Sequence, residues 1–394
     1  MGRQFRILVL NQISANGLKR LPAPTYTTGK DIRDPDAILV RSADLHAMDI
    51  PASVKAIARA GAGTNNIPVP AMSARGIPVF NAPGANANAV KELVLAGMLM
   101  AARNLAPAMQ FVEKLDPGAA DLDQAVEEGK KNFAGFELAG QTLGIIGLGK
   151  IGCLVADAAI KLGMHVLGYD PEITVDAAWS LPAQVKKAGS VADVLKHAHL
   201  ISLHVPLVEA TRGLVNETNL GLTRTGAILL NFSREGVVND AAMLAALDSG
   251  QLGWYVCDFP SGKILRHPKV VALPHLGAST REAEENCAIM VADQLRDYLE
   301  QGNISNAVNF PNVSMGRESR FRVGIANANV PNMLGQISTA MAQAGLNIHN
   351  MVNKSRGDMA YTLVDVDSPV AASVIAVLMG IQGVLAVRYL PRAE

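Results

Sequence analysis

The stretch Leu143–Asp170, LGIIGLGKIGCLVADAAIKLGMHVLGYD, decides the fold of this chain. An apolar run leads into Gly147-Leu148-Gly149-Lys150-Ile151-Gly152, and a helix-like segment and a second apolar run follow, ending at Asp170. Strand, glycine turn, helix and strand in this order predict a βαβ unit that binds a dinucleotide. A purely structural glycine turn is the alternative, and the acidic end of the second strand counts against it.

The glycines of this turn have separate tasks in such a unit. Gly147 permits a tight strand-to-helix turn, Gly149 lets the backbone approach a pyrophosphate, and Gly152 lets the helix pack on the strand. Free N–H groups at the helix start meet the phosphates. Asp170 can take both ribose hydroxyls, and its carboxylate repels a 2′-phosphate. The pattern therefore favours NAD over NADP.

Composition places the chain among globular proteins of two or three domains. Its 394 residues are 49% hydrophobic and 18% charged, enough apolar residues for large buried cores. Lys plus Arg equal Asp plus Glu at 35 each, so charge gives no case for nucleic acid or an anionic membrane. Cys153, Cys257 and Cys287 lack CxxC spacing, and no histidine pair has the spacing of zinc ligands. We expect a soluble cytoplasmic protein with no metal and no disulfide.

Apolar runs alternate with helical patterns along most of the chain, as at 37–40 and 227–231. This alternation is typical of parallel sheets with helices on both faces. Composition turns polar at 303–320, which predicts a linker. From Phe321 the order strand, helix, strand, strand, helix, strand predicts a small antiparallel sheet with two helices on one face. The predicted fold class is α/β, with two doubly wound parallel-sheet (Rossmann-like) domains and a small βαββαβ domain.

The predicted domain boundaries follow these changes. They are 1–90 with 275–305 for a discontinuous substrate-binding domain, 91–274 for the nucleotide-binding domain, 306–319 for the linker and 320–394 for the C-terminal domain. Sites in doubly wound sheets gather at the carboxyl ends of the strands. In the first domain, the residues at such ends include Arg41, Ser42, Arg59, Gly63 and Asn81.

Two residues are candidates for catalysis on a hydroxy acid. Arg234 directly follows an apolar strand, and its planar guanidinium suits a carboxylate. His275 also follows an apolar strand, among small residues that leave room around it, and can act as the acid and base. A surface Arg and a structural His are the alternatives. His204 ends a third strand, where it either lines the nucleotide pocket or only packs.

These residues resemble those of the NAD-dependent D-2-hydroxyacid dehydrogenases, and within that family the phosphoglycerate enzymes. The similar motifs run over nearly the whole chain and include Val40-Arg41-Ser42, Arg59-Ala60-Gly61-Ala62-Gly63, Asn81-Ala82-Pro83-Gly84, Tyr169-Asp170-Pro171, His204-Val205-Pro206-Leu207, Asn231-Phe232-Ser233-Arg234 and Pro274-His275-Leu276-Gly277-Ala278-Ser279-Thr280. The resemblance implies NAD-dependent oxidation of 3-phospho-D-glycerate to 3-phosphohydroxypyruvate in L-serine biosynthesis. Reduction of glyoxylate or hydroxypyruvate is one alternative, and a non-catalytic dinucleotide-sensing protein is another.

The resemblance also implies roles for single residues. Arg234 would orient the substrate, and His275 would move the hydroxyl proton. Contacts to the substrate are implied for Arg41, Ser42, Arg59, Ala62, Gly63 and Asn81, the arginines chiefly for anionic groups. Contacts to NAD are implied for Gly147, Gly149, Lys150, Ile151, Gly152, Asp170, His204, Val205, Pro206, Phe232, Ser233, Arg234, Asp258, His275, Gly277 and Ala278.

One departure from the family pattern concerns the acid and base. Family members usually carry a Glu a few residues after an Asp-Val-Phe stretch, and this Glu pairs with the catalytic His. Here residues 256–263 read VCDFPSGK, which contains no Glu. Asp258 stands one position after the place of the family's Asp. We therefore expect His275 to act without a carboxylate partner, or with Glu282 or Glu285 of the next helix.

The C-terminal unit resembles an ACT domain, a regulatory module that binds amino acids at a domain–domain interface. The family's effector positions correspond to Asn327, Asn329 and Asn347, whose short amides suit an amino acid. Asn332 stands where the family usually has Gly. A dimerisation module without a ligand is the alternative. In either case we expect a homo-oligomer, a dimer or a tetramer.

Overall fold

A computed structural model describes residues 4–392 of the chain. The contacts between residues divide the chain into two units, unit 1 of residues up to 86 and from 281 on, and unit 2 of residues 87–280. The breaks lie close to the predicted boundaries at 90 and 275. The predicted C-terminal domain groups with unit 1 instead of standing alone. Residues 1–3 and 393–394 of the predicted domains lie outside the described residues, and the functions assigned to these domains stay predictions.

The described residues alternate between strands and helices. The strands are β1 Phe5–Val9, β2 Tyr26–Gly29, β3 Ala37–Val40, β4 Ala56–Arg59, β5 Val79–Phe80, β6 Thr142–Ile146, β7 His165–Tyr169, β8 Lys186–Lys187, β9 Leu200–Leu203, β10 Ala227–Asn231, β11 Leu252–Cys257, β12 Val270–Ala272, β13 Phe321–Ala328, β14 Ile348–Arg356, β15 Met359–Val366 and β16 Val384–Pro391. The α-helices are α1 Ala15–Leu18, α2 Val69–Ala74, α3 Ala87–Ala102, α4 Leu105–Glu113, α5 Leu122–Gly129, α6 Lys150–Lys161, α7 Val175–Ser180, α8 Val191–His197, α9 Glu217–Leu220, α10 Asp240–Asp248, α11 Arg281–Gln301, α12 Met333–Gln343 and α13 Ala372–Met379.

Unit 2 is built on one parallel sheet of seven strands in the order β12-β11-β10-β9-β6-β7-β8. Its central strands are apolar on both faces; β9 and β10 are buried along their whole length. Such strands need helices on both sides, because a parallel sheet has no face that tolerates water. The order places the carboxyl ends of β10, β11 and β12 side by side, which matters for the candidate site.

Unit 1 contains two sheets. The first is parallel, in the order β2-β1-β3-β4-β5, and the second is antiparallel, in the order β14-β15-β13-β16. The two share one apolar core through α11, since Tyr298 of this helix and Tyr361 of β15 belong to the same buried cluster as Phe80 of β5. This common core explains why the C-terminal segment groups with unit 1.

The predicted linker at 306–319 is irregular, but part of it is packed in the core. Phe310 and Val313 are fully buried in that same cluster, and a bridge joins Ile304 to Val313. Buried apolar side chains among polar neighbours lack the period of a helix or strand, so the sequence pattern does not reveal them. Within residues 4–392, no helix has both the length and the apolar character needed to cross a membrane.

Candidate active site

The glycine turn in unit 2 joins β6 to α6. Gly147 has a φ of +95°, and a Cβ there would lie 2.5 Å from the carbonyl oxygen of His204, so only glycine fits without strain. A Cβ on Gly149 would meet no atom within 4 Å. The open space lies directly before the first residue of α6, where free N–H groups favour phosphate. This arrangement fits the pyrophosphate of a dinucleotide.

Asp170 follows β7 and faces the same turn. Its Oδ2 accepts a hydrogen bond from the N–H of Leu148 at 2.8 Å, and its Oδ1 accepts one from the N–H of Glu172 at 2.9 Å. Each carboxylate oxygen has a further lone pair. Asp170 can therefore fix the turn and still accept a ribose hydroxyl.

Arg234 and His275 both lie against the ring of Phe259. The guanidinium carbon of Arg234 is 5.3 Å from the centroid of this ring, and the imidazole centroid of His275 is 4.5 Å from it. The three residues follow β10, β12 and β11, which are neighbouring strands. Arg234 and His275 are exposed, so ligands can reach them. The structure thus brings the two predicted catalytic residues together, while their chemical roles stay predictions.

Asp258 holds the backbone around His275. The φ of His275 is +56°, a left-handed conformation that residues other than glycine seldom adopt. Its N–H donates to the carbonyl oxygen of Asp258 at 3.1 Å. The Asp258 carboxylate accepts from the N–H groups of Leu276 and Gly277 at 2.6 and 2.8 Å. Burial raises the pKa of Asp258, although these N–H bonds oppose the shift. With both oxygens used in this way, Asp258 supports the turn in addition to any contact with NAD.

Glu282 and Glu285, the predicted replacements for the missing Glu, form bonds with residues other than His275. Glu285 accepts a hydrogen bond from the side chain of Asn16 at 2.8 Å, and Glu282 pairs with Arg281 at 3.1 Å. Within residues 87–280, no carboxylate is hydrogen-bonded to the His275 ring. A Cβ on Gly262, three residues after Phe259, would meet nothing within 4 Å. A side chain at position 262 would therefore start in open space.

The remaining predicted cofactor residues of unit 2 differ in accessibility. Phe232 is 5% exposed and packs in the core, so its side chain is not available to a ligand. The hydroxyl of Ser233 donates to the carbonyl oxygen of Leu203 at 2.6 Å and accepts from the N–H of Val205 at 3.1 Å. His204 has a buried Nδ1 with no hydrogen bond among the described residues. The residues that are partly or fully exposed are Lys150, Ile151, His204, Val205, Pro206 and Ala278.

The predicted substrate residues form one network within unit 1. The Nε of Arg59 donates to the carbonyl oxygen of Arg41 at 3.1 Å. The side chain of Asn81 donates to the carbonyl oxygen of Ala62 at 2.5 Å, which fixes the loop that continues to Gly63. The N–H of Ser42 donates to the side chain of Asn11 at 3.0 Å. The carboxyl ends of β3, β4 and β5 are thereby held together. Sequence reasoning missed the partner of the Arg41 guanidinium, Glu284, at 2.6 Å.

Two of the three predicted effector residues share a cavity in the C-terminal part of unit 1. Asn327 and Asn329 line a cavity of about 220 Å³ together with Asn332 and Asn353. Asn347 is not among the lining residues; it precedes β14, at the far end of the β14–β15 hairpin. Asn332 has a φ of +63°, so the position where the family usually has Gly keeps a left-handed backbone, which Asn tolerates.

Known proteins resemble this chain in sequence. Residues 95–277 match the family model described as D-isomer specific 2-hydroxyacid dehydrogenase, NAD binding domain. A relative from Haemophilus influenzae named D-3-phosphoglycerate dehydrogenase is 33% identical over 340 residues, 83% of this chain and 79% of the relative. One of the same name from Methanocaldococcus jannaschii is 34% identical over 325 residues, 80% of this chain and 59% of the relative.

A solved structure supports the fold. The TT0316 protein from Thermus thermophilus is similar with a TM-score of 0.63 and 27% identity, over 77% of this chain and 99% of that one. The predicted α/β fold class and the NAD prediction are confirmed. The chain spans 52–59% of the length of three curated relatives that it matches. It belongs to the D-isomer specific 2-hydroxyacid dehydrogenase family, and residues 95–277 match that family's NAD-binding domain.

Proposed function

We propose that this chain catalyses the NAD-dependent oxidation of 3-phospho-D-glycerate to 3-phosphohydroxypyruvate, as in L-serine biosynthesis. The observation that carries the proposal is the common contact of Arg234 and His275 with Phe259 at neighbouring strand ends. A cation and a proton acceptor beside an NAD-binding turn are the groups that oxidation of a hydroxy acid requires. The names of the relatives from Haemophilus influenzae and Methanocaldococcus jannaschii support the choice of substrate.

The proposed mechanism assigns one task to each residue. The planar guanidinium of Arg234 binds the substrate carboxylate and polarises the oxygen on C2. The His275 imidazole removes the proton of the C2 hydroxyl. Bound NAD supplies the acceptor for the C2 hydride. Phe259 keeps the two side chains at a fixed separation, and Asp258 holds the backbone of His275.

We further propose that Arg41 and Arg59 bind the substrate phosphate. Their support is local to unit 1: the two arginines end adjacent strands, and one donates to the backbone of the other at 3.1 Å. Arginine is well suited to phosphate because its planar fork of donors matches two oxygens at once. Reduction of glyoxylate or hydroxypyruvate, the alternative within the family, would not need this pair.

We also propose that this chain binds an amino-acid effector, forms a homo-oligomer and is located in the cytoplasm. The buried Oδ1 of Asn327 accepts no hydrogen bond among the described residues, which supports an amino-acid effector in the cavity beside it. Met109 and Val112 of α4 are 61% and 59% exposed, an apolar face that supports a homo-oligomer. The free cysteines support a cytoplasmic location.

A turnover assay tests the function. NADH oxidation is followed with 3-phosphohydroxypyruvate, hydroxypyruvate and glyoxylate, each with and without serine. We expect the highest kcat/KM with the phosphorylated acid. A preference for glyoxylate would support the reductase alternative, and NADH binding without consumption of any acid would support the sensing protein.

Arg41→Ala tests the phosphate contact. We expect the KM for 3-phosphohydroxypyruvate to rise roughly ten- to a hundredfold, since a charge-assisted hydrogen bond contributes about 1.5–3 kcal/mol. The KM for glyoxylate should stay close to that of the wild type. An equal rise for both acids would refute a phosphate contact.

A further inference from the structure

The guanidinium of Arg41 forms an ion pair with a glutamate. Its Nη2 lies 2.6 Å from the Oε1 of Glu284, and the two side chains are 35% and 42% exposed. Any phosphate that binds Arg41 therefore meets an ion pair and not an isolated cation. The pair joins the end of β3 to the first turn of α11.

Backbone contacts fix Arg41 but leave its guanidinium free to exchange partners. The carbonyl oxygen of Arg41 accepts from the Nε of Arg59 at 3.1 Å and from the side chain of Asn66 at 3.4 Å. Glu284 has a second source of stabilisation, because a carboxylate in the first turn of a helix is favoured by the helix dipole. If the ion pair breaks, the carboxylate of Glu284 is therefore still stabilised by the start of the helix.

We propose that Glu284 competes with the substrate phosphate for Arg41 and so lowers the affinity of this chain for phosphorylated acids. The inference rests on the proposed function. A half-exposed ion pair is weak, because water screens the two charges. A phosphate carries about −1.5 to −2 charges and binds the guanidinium at two oxygens, so it displaces the single carboxylate. Glyoxylate and hydroxypyruvate have no group that takes the place of Glu284, and they leave the pair intact.

Glu284→Gln removes the competing charge and keeps the size of the side chain. We expect the KM for 3-phosphohydroxypyruvate to fall roughly two- to fivefold, the range that corresponds to the loss of a weak competing ion pair. The KM values for hydroxypyruvate and glyoxylate, and all kcat values, should stay unchanged. In an Arg41→Gln background, Glu284→Gln should have no effect on any KM.

Asp293→Asn is the matched control. Asp293 lies on the same helix, about 13 Å further along its axis, and pairs with Arg20 at 2.8 Å with similar exposure. We expect no change in any KM for this variant. A fall in the KM for all three acids, a fall that persists without Arg41, or a rise for the phosphorylated acid would overturn the proposal; a rise would mean that Glu284 orients Arg41.

A binding measurement separates this inference from the proposed function. If the wild type consumes none of the three acids, the proposed function fails, and calorimetry with 3-phospho-D-glycerate still tests the role of Glu284. Tighter binding by Glu284→Gln than by the wild type and by Asp293→Asn would support the inference. Equal affinities, or no binding by any of them, would overturn it.

Discussion

The imidazole of His275 packs on the ring of Phe259 with 4.5 Å between the ring centroids and 49° between their planes. Tilted contacts of this kind are favourable because the edge of one ring meets the face of the other. The residue before Phe259, Asp258, bonds the two N–H groups that follow His275. Packing and backbone hydrogen bonds thus hold His275 and its loop in place.

His275→Ala should lower turnover of 3-phosphohydroxypyruvate by roughly two to four orders of magnitude, because general acid–base catalysis contributes about that much. NADH binding, followed by fluorescence, should remain close to that of the wild type. His197→Ala is the control, since His197 ends α8 on the surface of the same unit. Turnover near the wild-type rate would remove His275 from the mechanism.

Gly262→Glu should supply the Glu that the family usually carries a few residues after its Asp-Val-Phe stretch. We expect the reduction of 3-phosphohydroxypyruvate to persist to higher pH, by up to about one unit, because a nearby carboxylate favours the protonated imidazole. Gly262→Gln has the same size without the charge and serves as the control. The measurement is the pH dependence of kcat/KM, and indistinguishable profiles for the two variants would contradict the expectation.

Much of the fold follows from periodicity in the sequence. The strands at 37–40 and 227–231 have the predicted bounds, because buried strands in parallel sheets are continuous apolar runs. Short or polar elements escape this signal. The edge strand β8, Lys186–Lys187, has two exposed lysines and no apolar pattern.

The residues of the site that could be predicted from the sequence are those that directly follow a strand. Arg234 and His275 stand at strand ends, and strand order then decides that they meet. Glu284 was not predictable, since an acid in the first turn of a helix is common and its partner is 243 positions away in the sequence. Asn347 precedes the start of β14, whereas Asn327 lies near the end of β13, and these two strands run in the same direction. Asn347 is therefore away from the cavity that Asn327 lines, and its role as an effector residue stays a prediction.

His204→Gln should reduce the loss of stability in mild acid. Burial lowers the pKa of His204 to about 4, against about 6.5 in an unfolded chain. Between these values the unfolded state binds a proton that the folded state does not, so stability falls as pH decreases from about 6.5 to about 4. The effect amounts to about 3 kcal/mol at about 1.4 kcal/mol per unit.

Urea unfolding at pH 7, 6, 5 and 4.5 measures this effect. The decline of the midpoint with pH should be less steep for His204→Gln than for the wild type. His197→Gln, which changes a surface histidine, should follow the wild type. Parallel curves for all three proteins would show that His204 does not contribute to the acid sensitivity.

A buried ion pair joins β13 to β15 within the C-terminal sheet, and its arginine also bonds the end of α11. The Nε and Nη2 of Arg322 donate to the two carboxylate oxygens of Asp365 at 2.6 and 2.8 Å, and both side chains are fully buried. The guanidinium also donates to the carbonyl oxygens of Gln301, Met315 and Gly316. Burial acts to raise the pKa of Asp365, but the bonds from Arg322 hold it below its usual value.

Arg322→Met should therefore lower the free energy of unfolding by about 3–5 kcal/mol, because it leaves an unpaired buried carboxylate. The double variant Arg322→Met/Asp365→Leu should lose less than Arg322→Met alone, since no charge remains to be desolvated. Arg20→Met, which breaks the exposed pair with Asp293, is the control and should cost less than about 1 kcal/mol. Urea unfolding at pH 7 measures these three variants and Asp365→Leu alone. The stability from Asp365 should be lost only as pH falls below about 4, through its lowered pKa. A double variant as unstable as the sum of its two single variants would mean that Arg322 and Asp365 stabilise the sheet independently and not as a pair.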